Sequence, residues 1–144
     1  MQRYIRQKPA GIYQSLTNVA MNATKFQKYS TLLIRVGLGL VFLANSYTAI
    51  FSPDDFSKLI GESFLANLLP VGIDIFVKFI GISDGLVAIL LLIGKEQKYI
   101  AGYATLWIIG VLAVIGVKEP GDFLEHFGFL SMAVYLLVNS SNSL

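Results

Sequence analysis

Four stretches of this chain are apolar over the length of a bilayer crossing: residues 31–51, 71–93, 99–117 and 121–138. A transmembrane helix needs about 20 mostly apolar residues to span a hydrocarbon core of roughly 30 Å. No other feature limits the fold as severely. The fourth stretch is short and needs its ends to sit in the interface. The chain is 55% hydrophobic and 14% charged, against about a quarter charged in an ordinary soluble domain. With 144 residues in all, one domain is expected. The predicted fold is all-α: a polytopic membrane protein with a four-helix transmembrane bundle at 29–140, a basic N-terminal segment at 1–28 and a short polar tail at 141–144.

Cysteine is absent. Thiol nucleophiles, disulfide exchange, iron–sulfur clusters and thiolate metal sites are therefore excluded. The N-terminal segment carries basic residues and no acidic residue before Asp54. It lacks the continuous apolar region of a secretory signal. From Pro9 onward, Ile12, Leu16, Val19 and Ala20 recur on one helical face, opposite Gln14, Ser15, Thr17, Asn18 and Asn22. That pattern fits a helix lying on the membrane surface; a partly ordered tail and an organellar transit peptide are the other readings. Lys and Arg crowd this segment, while the loop 52–70 holds only Lys58 against Asp54, Asp55 and Glu62. The positive-inside rule then puts both termini in the cytoplasm. In that outer loop, Ser52 reads as an N-cap, Pro53 as the first helical residue and the following acids as dipole partners. A short amphipathic helix should follow, ending before Pro70.

Membrane helices associate through small residues and polar contacts, because lipid is as apolar as Leu. At 100° per residue, Arg35, Gly39 and Ser46 share a stripe on the first span. Asp74, Lys78, Gly81 and Gly85 share one on the second, with Asp84 beside it. Gly102 marks the third, and Glu125 and Gly128 mark the fourth. Close helix packing is expected at Gly39, Gly81, Gly85, Gly102 and Gly128. Depth sorts the polar residues into two groups. Asp74, Lys78, Glu125 and His126 fall near the outer surface and form a candidate polar cluster, although Asp74 and Lys78 at i,i+4 can also simply neutralise each other. Arg35 lies about one turn above the inner surface, and Asp84 lies near the middle of the bilayer. An ionised Asp there costs at least ~2.5–3.5 kcal/mol. The expected compensation is a pairing with Arg35, whose long side chain can reach upward. Such a pair should show coupled mutations: Asp84→Leu should be tolerated better when Arg35 is also replaced. His126 stands as the single histidine, so no histidine metal cage is available. It is read either as a proton or quinone-headgroup partner or as a helix-end hydrogen bond. Trp107 falls mid-span, where it can face lipid or a partner subunit.

Three motifs resemble the DoxX family of small four-helix membrane proteins: RVGLGLVFL at 35–43, DGLVAILLLIG at 84–94 and EHFGFLSMAVYL at 125–136. Asp84 stands where Glu is usual in that family. Glu125 and His126 stand where the family has Arg and Asp. The resemblance covers about residues 30–138 and rests on order, spacing and helix count. It implies a membrane subunit linked to a redox complex, with a quinone as the bound cofactor and other membrane subunits or further copies of the chain as partners. It also implies residence in the cytoplasmic membrane of a prokaryote.

The residues themselves supply no metal cage, no nucleophile–base pair and no phosphate loop. Nothing points to nucleic acid. The leading expectation is an accessory, quinone-linked subunit with a cofactor or lipid pocket around Arg35 and Asp84. The alternative is a small proton-coupled transporter in which Asp84 binds the proton. An enzyme in its own right ranks last.

Overall fold

The computed structural model describes residues 10–116 and 120–140, with side chains described at 19 and from 21 onward within those ranges. The Pro9 helix start, the face built on Ile12, Leu16 and Ala20, the turn at Lys118 and the tail 141–144 lie outside what is described. Among the described residues the regular elements are all helical: α1 (Ala10–Phe51), α2 (Asp54–Gly61), a 3-10 helix (Phe64–Asn67), α3 (Ile73–Ile93), α4 (Gln97–Ile115) and α5 (Pro120–Ser140). Four segments are long and apolar enough to cross a membrane: Met21–Phe51, Ile73–Ile93, Gln97–Ile115 and Pro120–Ser140. The all-α, four-span architecture expected from hydropathy is the architecture observed, and the chain is an integral membrane protein.

The chain divides into two compact units, residues 1–32 and 33–144. In the first, the backbone is helical from Ala10, the Thr24 hydroxyl donates to the Met21 carbonyl at 2.9 Å, and Val19, Phe26 and Tyr29 are exposed.

The second unit holds the bundle. Leu38 and Phe42 of α1, Val87, Ala88 and Leu91 of α3, Ala101, Ala104 and Ile108 of α4, and Ala133 and Leu136 of α5 form one buried cluster. A smaller cluster of Ala49, Ile60, Val77 and Ile80 fastens α2 to the ends of α1 and α3. Around them the surface is greasy: Leu40, Phe79, Ile82, Leu86, Ile89, Leu106 and Phe127 are all exposed. In water so much contiguous apolar surface would drive aggregation; in acyl chains it costs nothing.

The α1–α3 seam shows why small residues matter here. A Cβ added at Gly39 would lie 3.1 Å from the Leu92 side chain, one at Gly81 would lie 2.7 Å from Ile50, and one at Gly85 would lie 2.8 Å from Ser46 Oγ. These approaches pair 39 with 92 and 46 with 85, so the two helices run antiparallel. Ser46 Oγ–H donates to the Gly81 carbonyl across the seam at 2.7 Å. Such interhelical bonds contribute roughly 0.6 kcal/mol on average in a membrane protein, with a maximum near ~1.7. Gly37 adds a contact to α5, where a Cβ would lie 3.2 Å from the end of Met132.

Three boundaries differ from the sequence reading. The first apolar span starts at Met21 rather than at residue 31, within the unbroken helix α1. The N-cap of α2 is Pro53, with no side-chain cap bond, because the Ser52 N–H still bonds back to Thr48 O at 2.8 Å and so continues α1. The loop helix also breaks. α2 stops at Gly61, and the Ser63 side chain accepts from Leu65 N at 3.2 Å to start a separate 3-10 turn. At the other end of the bundle, Gly94 ends α3 with φ 79°, a left-handed conformation that glycine adopts without a Cβ penalty.

Candidate functional site

Asp84 lies near the middle of α3 and is 2% exposed. Its partner is not Arg35. The Trp107 indole, on α4, lies beside the carboxyl group, while Oδ1 has no hydrogen-bond partner. Trp107 is held in turn by its own helix. Tyr103, one turn earlier, stacks on it with ring centroids 6.1 Å apart and planes 11° apart. The Tyr103 hydroxyl shares a 2.7 Å hydrogen bond with Ser83 Oγ, the residue before Asp84. Two adjacent residues of α3 are thus set against two stacked rings of α4.

Arg35 goes elsewhere. Its guanidinium packs against Gly94, so closely that a Cβ there would fall 2.7 Å from Arg35 Cζ. Gly94 lies ten residues beyond Asp84, about 15 Å along the helix. The expected Arg35–Asp84 pair is therefore not formed. The reason is register: α1 and α3 dock with Gly39 beside Leu92, which carries position 35 past the end of α3 rather than toward its centre. There the guanidinium meets the negative end of the α3 dipole, and Nε is buried without an acceptor.

The expected outer cluster also separates. Asp74, Lys78 and Glu125 are exposed, and no ion pair joins them. His126 is half-buried; its Nδ1–H donates to the Asp122 carbonyl at 2.8 Å, and its ring meets Phe129 edge-on at 5.6 Å. A carbonyl only accepts, so the proton sits on Nδ1 and Nε2 is the basic nitrogen. Of the five glycines expected to pack closely, Gly39, Gly81 and Gly85 do so; Gly102 is in ordinary contact, with a Cβ 3.7 Å from Leu137, and Gly128 has nothing within 4 Å. Gly128 is not a packing glycine: its side of α5 is open.

What the structure does build is a cleft of about 710 Å³ in the α2 end of the bundle. Asp84 and Trp107 lie at its inner end. Its walls include Val41, Phe42 and Asn45 of α1, Val111 and Val114 of α4, and Phe129 of α5. Its mouth carries Asp55, Lys58 and Glu62 around α2, with Asp122 and His126 at the start of α5. Asp84 and His126 thus belong to one cleft, at opposite ends. Trp107, Asn45 and Asp122 were not legible as members. A mid-span Trp is equally at home in lipid, and only the docking of α4 on α3 reveals its partner. No group of three His, Cys, Asp or Glu side chains that could hold a metal occurs among the described residues.

No family model, curated protein or solved structure matches this chain. The site has to be read from its own chemistry. A largely apolar cleft with a few polar groups at one end is the ordinary form of a small-molecule site.

Proposed function

We propose that this protein is an integral membrane subunit that binds an amphiphilic ligand in the cleft, with Asp84 gripping the ligand's polar end. The observation that carries this reading is Asp84 Oδ1, a buried acceptor without a donor, set at the inner end of an otherwise apolar cavity. A buried polar atom left unpaired is costly, and an occupant that supplies the donor removes that cost. Trp107 and Phe129 offer ring faces to the ligand's body. The resemblance to DoxX proteins adds a setting, an accessory role in a quinone-linked redox complex. A second reading is a small proton-coupled carrier; it is favoured by the position of Asp84 at the far end of a cleft whose charged mouth lies at one end of the bundle.

Gly110 lines the cleft, and a Cβ there meets nothing within 4 Å. Gly110→Leu should therefore fill the cleft without disturbing the fold. Purified from native membranes in mild detergent, the wild-type protein should carry a small amphiphile that mass spectrometry detects. The amount should drop about tenfold in Gly110→Leu. Equal amounts in both proteins would overturn the reading. Subunits that copurify in the same preparation would identify the complex.

A further inference from the structure

We propose that the occupant of this cleft carries a positive charge: the site takes a lipophilic organic cation, an ammonium or similar centre on an apolar body. The inference rests on the cleft being the binding site, as proposed above, and adds the sign of the ligand's charge.

Three observations converge on it. The first is the missing counter-charge. Asp84 is 2% exposed with Oδ1 unpartnered, and the cation nearest in sequence logic, Arg35, is committed to Gly94 at the end of α3. An ionisable group inside a bilayer pairs with an opposite charge or faces a polar cavity. Among the described residues no cation pairs with Asp84, which lines the cleft. The second is the wall chemistry. Trp107, Phe42 and Phe129 present aromatic surface along the same cavity, and aromatic faces attract cations, most strongly where water is excluded. The third is the mouth. Among the described residues that line it, Asp55, Glu62 and Asp122 stand against one lysine, Lys58, with His126 the remaining titratable group. A cleft with low-dielectric walls focuses such a field along its length. From mouth to floor the carboxylates have one sign, so cations are drawn inward and anions are repelled. A neutral hydroxyl would satisfy Oδ1 but would gain nothing from the acidic mouth.

Trp107 is the sole tryptophan of the chain and stands beside Asp84, so intrinsic fluorescence reads the site directly. The full chain in a neutral detergent is titrated with tetraphenylphosphonium, with tetraphenylborate and with a decyl-substituted quinol. The first two share shape and size and differ in charge. Phosphonium should quench Trp107 saturably, at a concentration at least about tenfold below that needed for borate or quinol. Asp84→Asn, which keeps the volume and removes the charge, should cut that preference about tenfold, and Asp84→Glu should keep it. Where Asp84→Asn does not fold, Asp122→Asn decides, because this mouth carboxylate is exposed and its loss should weaken phosphonium binding and spare borate. Borate or quinol binding as tightly as phosphonium would overturn the charge assignment. Quinol binding that Gly110→Leu abolishes would leave the cleft reading standing. Quenching by none of the three would overturn both.

Discussion

Trp107 stands beside the Asp84 carboxyl group, whose Oδ1 is unpaired, so its indole N–H is the nearby donor this chain offers. Trp107→Phe keeps the ring that stacks on Tyr103 and removes the N–H. It should destabilise the bundle by about 1–3 kcal/mol, the cost of stripping a buried polar group of its donor, as measured by unfolding in denaturing detergent. Tyr103→Phe should cost less, because the Ser83 hydroxyl it leaves behind can turn to a carbonyl of its own helix. Arg35 gives the opposite kind of prediction. Its guanidinium sits at Gly94, about 15 Å from Asp84 along α3. Arg35→Leu and Asp84→Leu should therefore add to within ~0.5 kcal/mol in the double mutant. A paired guanidinium and carboxylate would instead give strong coupling. Sequence placed both residues on inward stripes at plausible depths. It could not supply the register between two helices, and a shift of a few residues separates a salt bridge from two independent sites.

At the scale of elements, the seam between α1 and α3 rests on specific close approaches. A Cβ at Gly85 would lie 2.8 Å from Ser46 Oγ, and that hydroxyl is already committed to the Gly81 carbonyl. Gly85→Ala should cost about 1–3 kcal/mol by overpacking. Most of the loss should disappear when Ser46 is also alanine, since the clash and the hydrogen bond share one atom. Gly128→Ala on α5 should stay within ~0.5 kcal/mol of wild type, because nothing lies within 4 Å of the added methyl. The contrast marks what periodicity can and cannot say. Helical spacing identifies which residues share a face, and that suffices for 39, 81 and 85. It does not say whether another helix lies against that face, and at 128 none does. Element boundaries follow the same logic: α3 and α5 begin and end within about two residues of their apolar runs, whereas the break between α2 and the 3-10 turn depends on a local Ser63 bond that hydropathy cannot register.

At the scale of the bundle, residues 33–140 combine an exposed apolar surface with a cleft. Four spans were legible because bilayer thickness imposes a length that few other constraints mimic. The cleft was not, because its members are scattered from position 41 to 129. Through this cleft, access reaches into the bundle from the α2 end. The chain has no cysteine, so single cysteines can be placed without background. Asn45→Cys and Val111→Cys, both on the cleft wall, should react with a membrane-impermeant thiol reagent added from one side of the membrane only. Leu106→Cys, 72% exposed on the lipid face, should not react from either side. Equal silence at all three positions, or labelling of the cleft cysteines from both sides, would contradict the account.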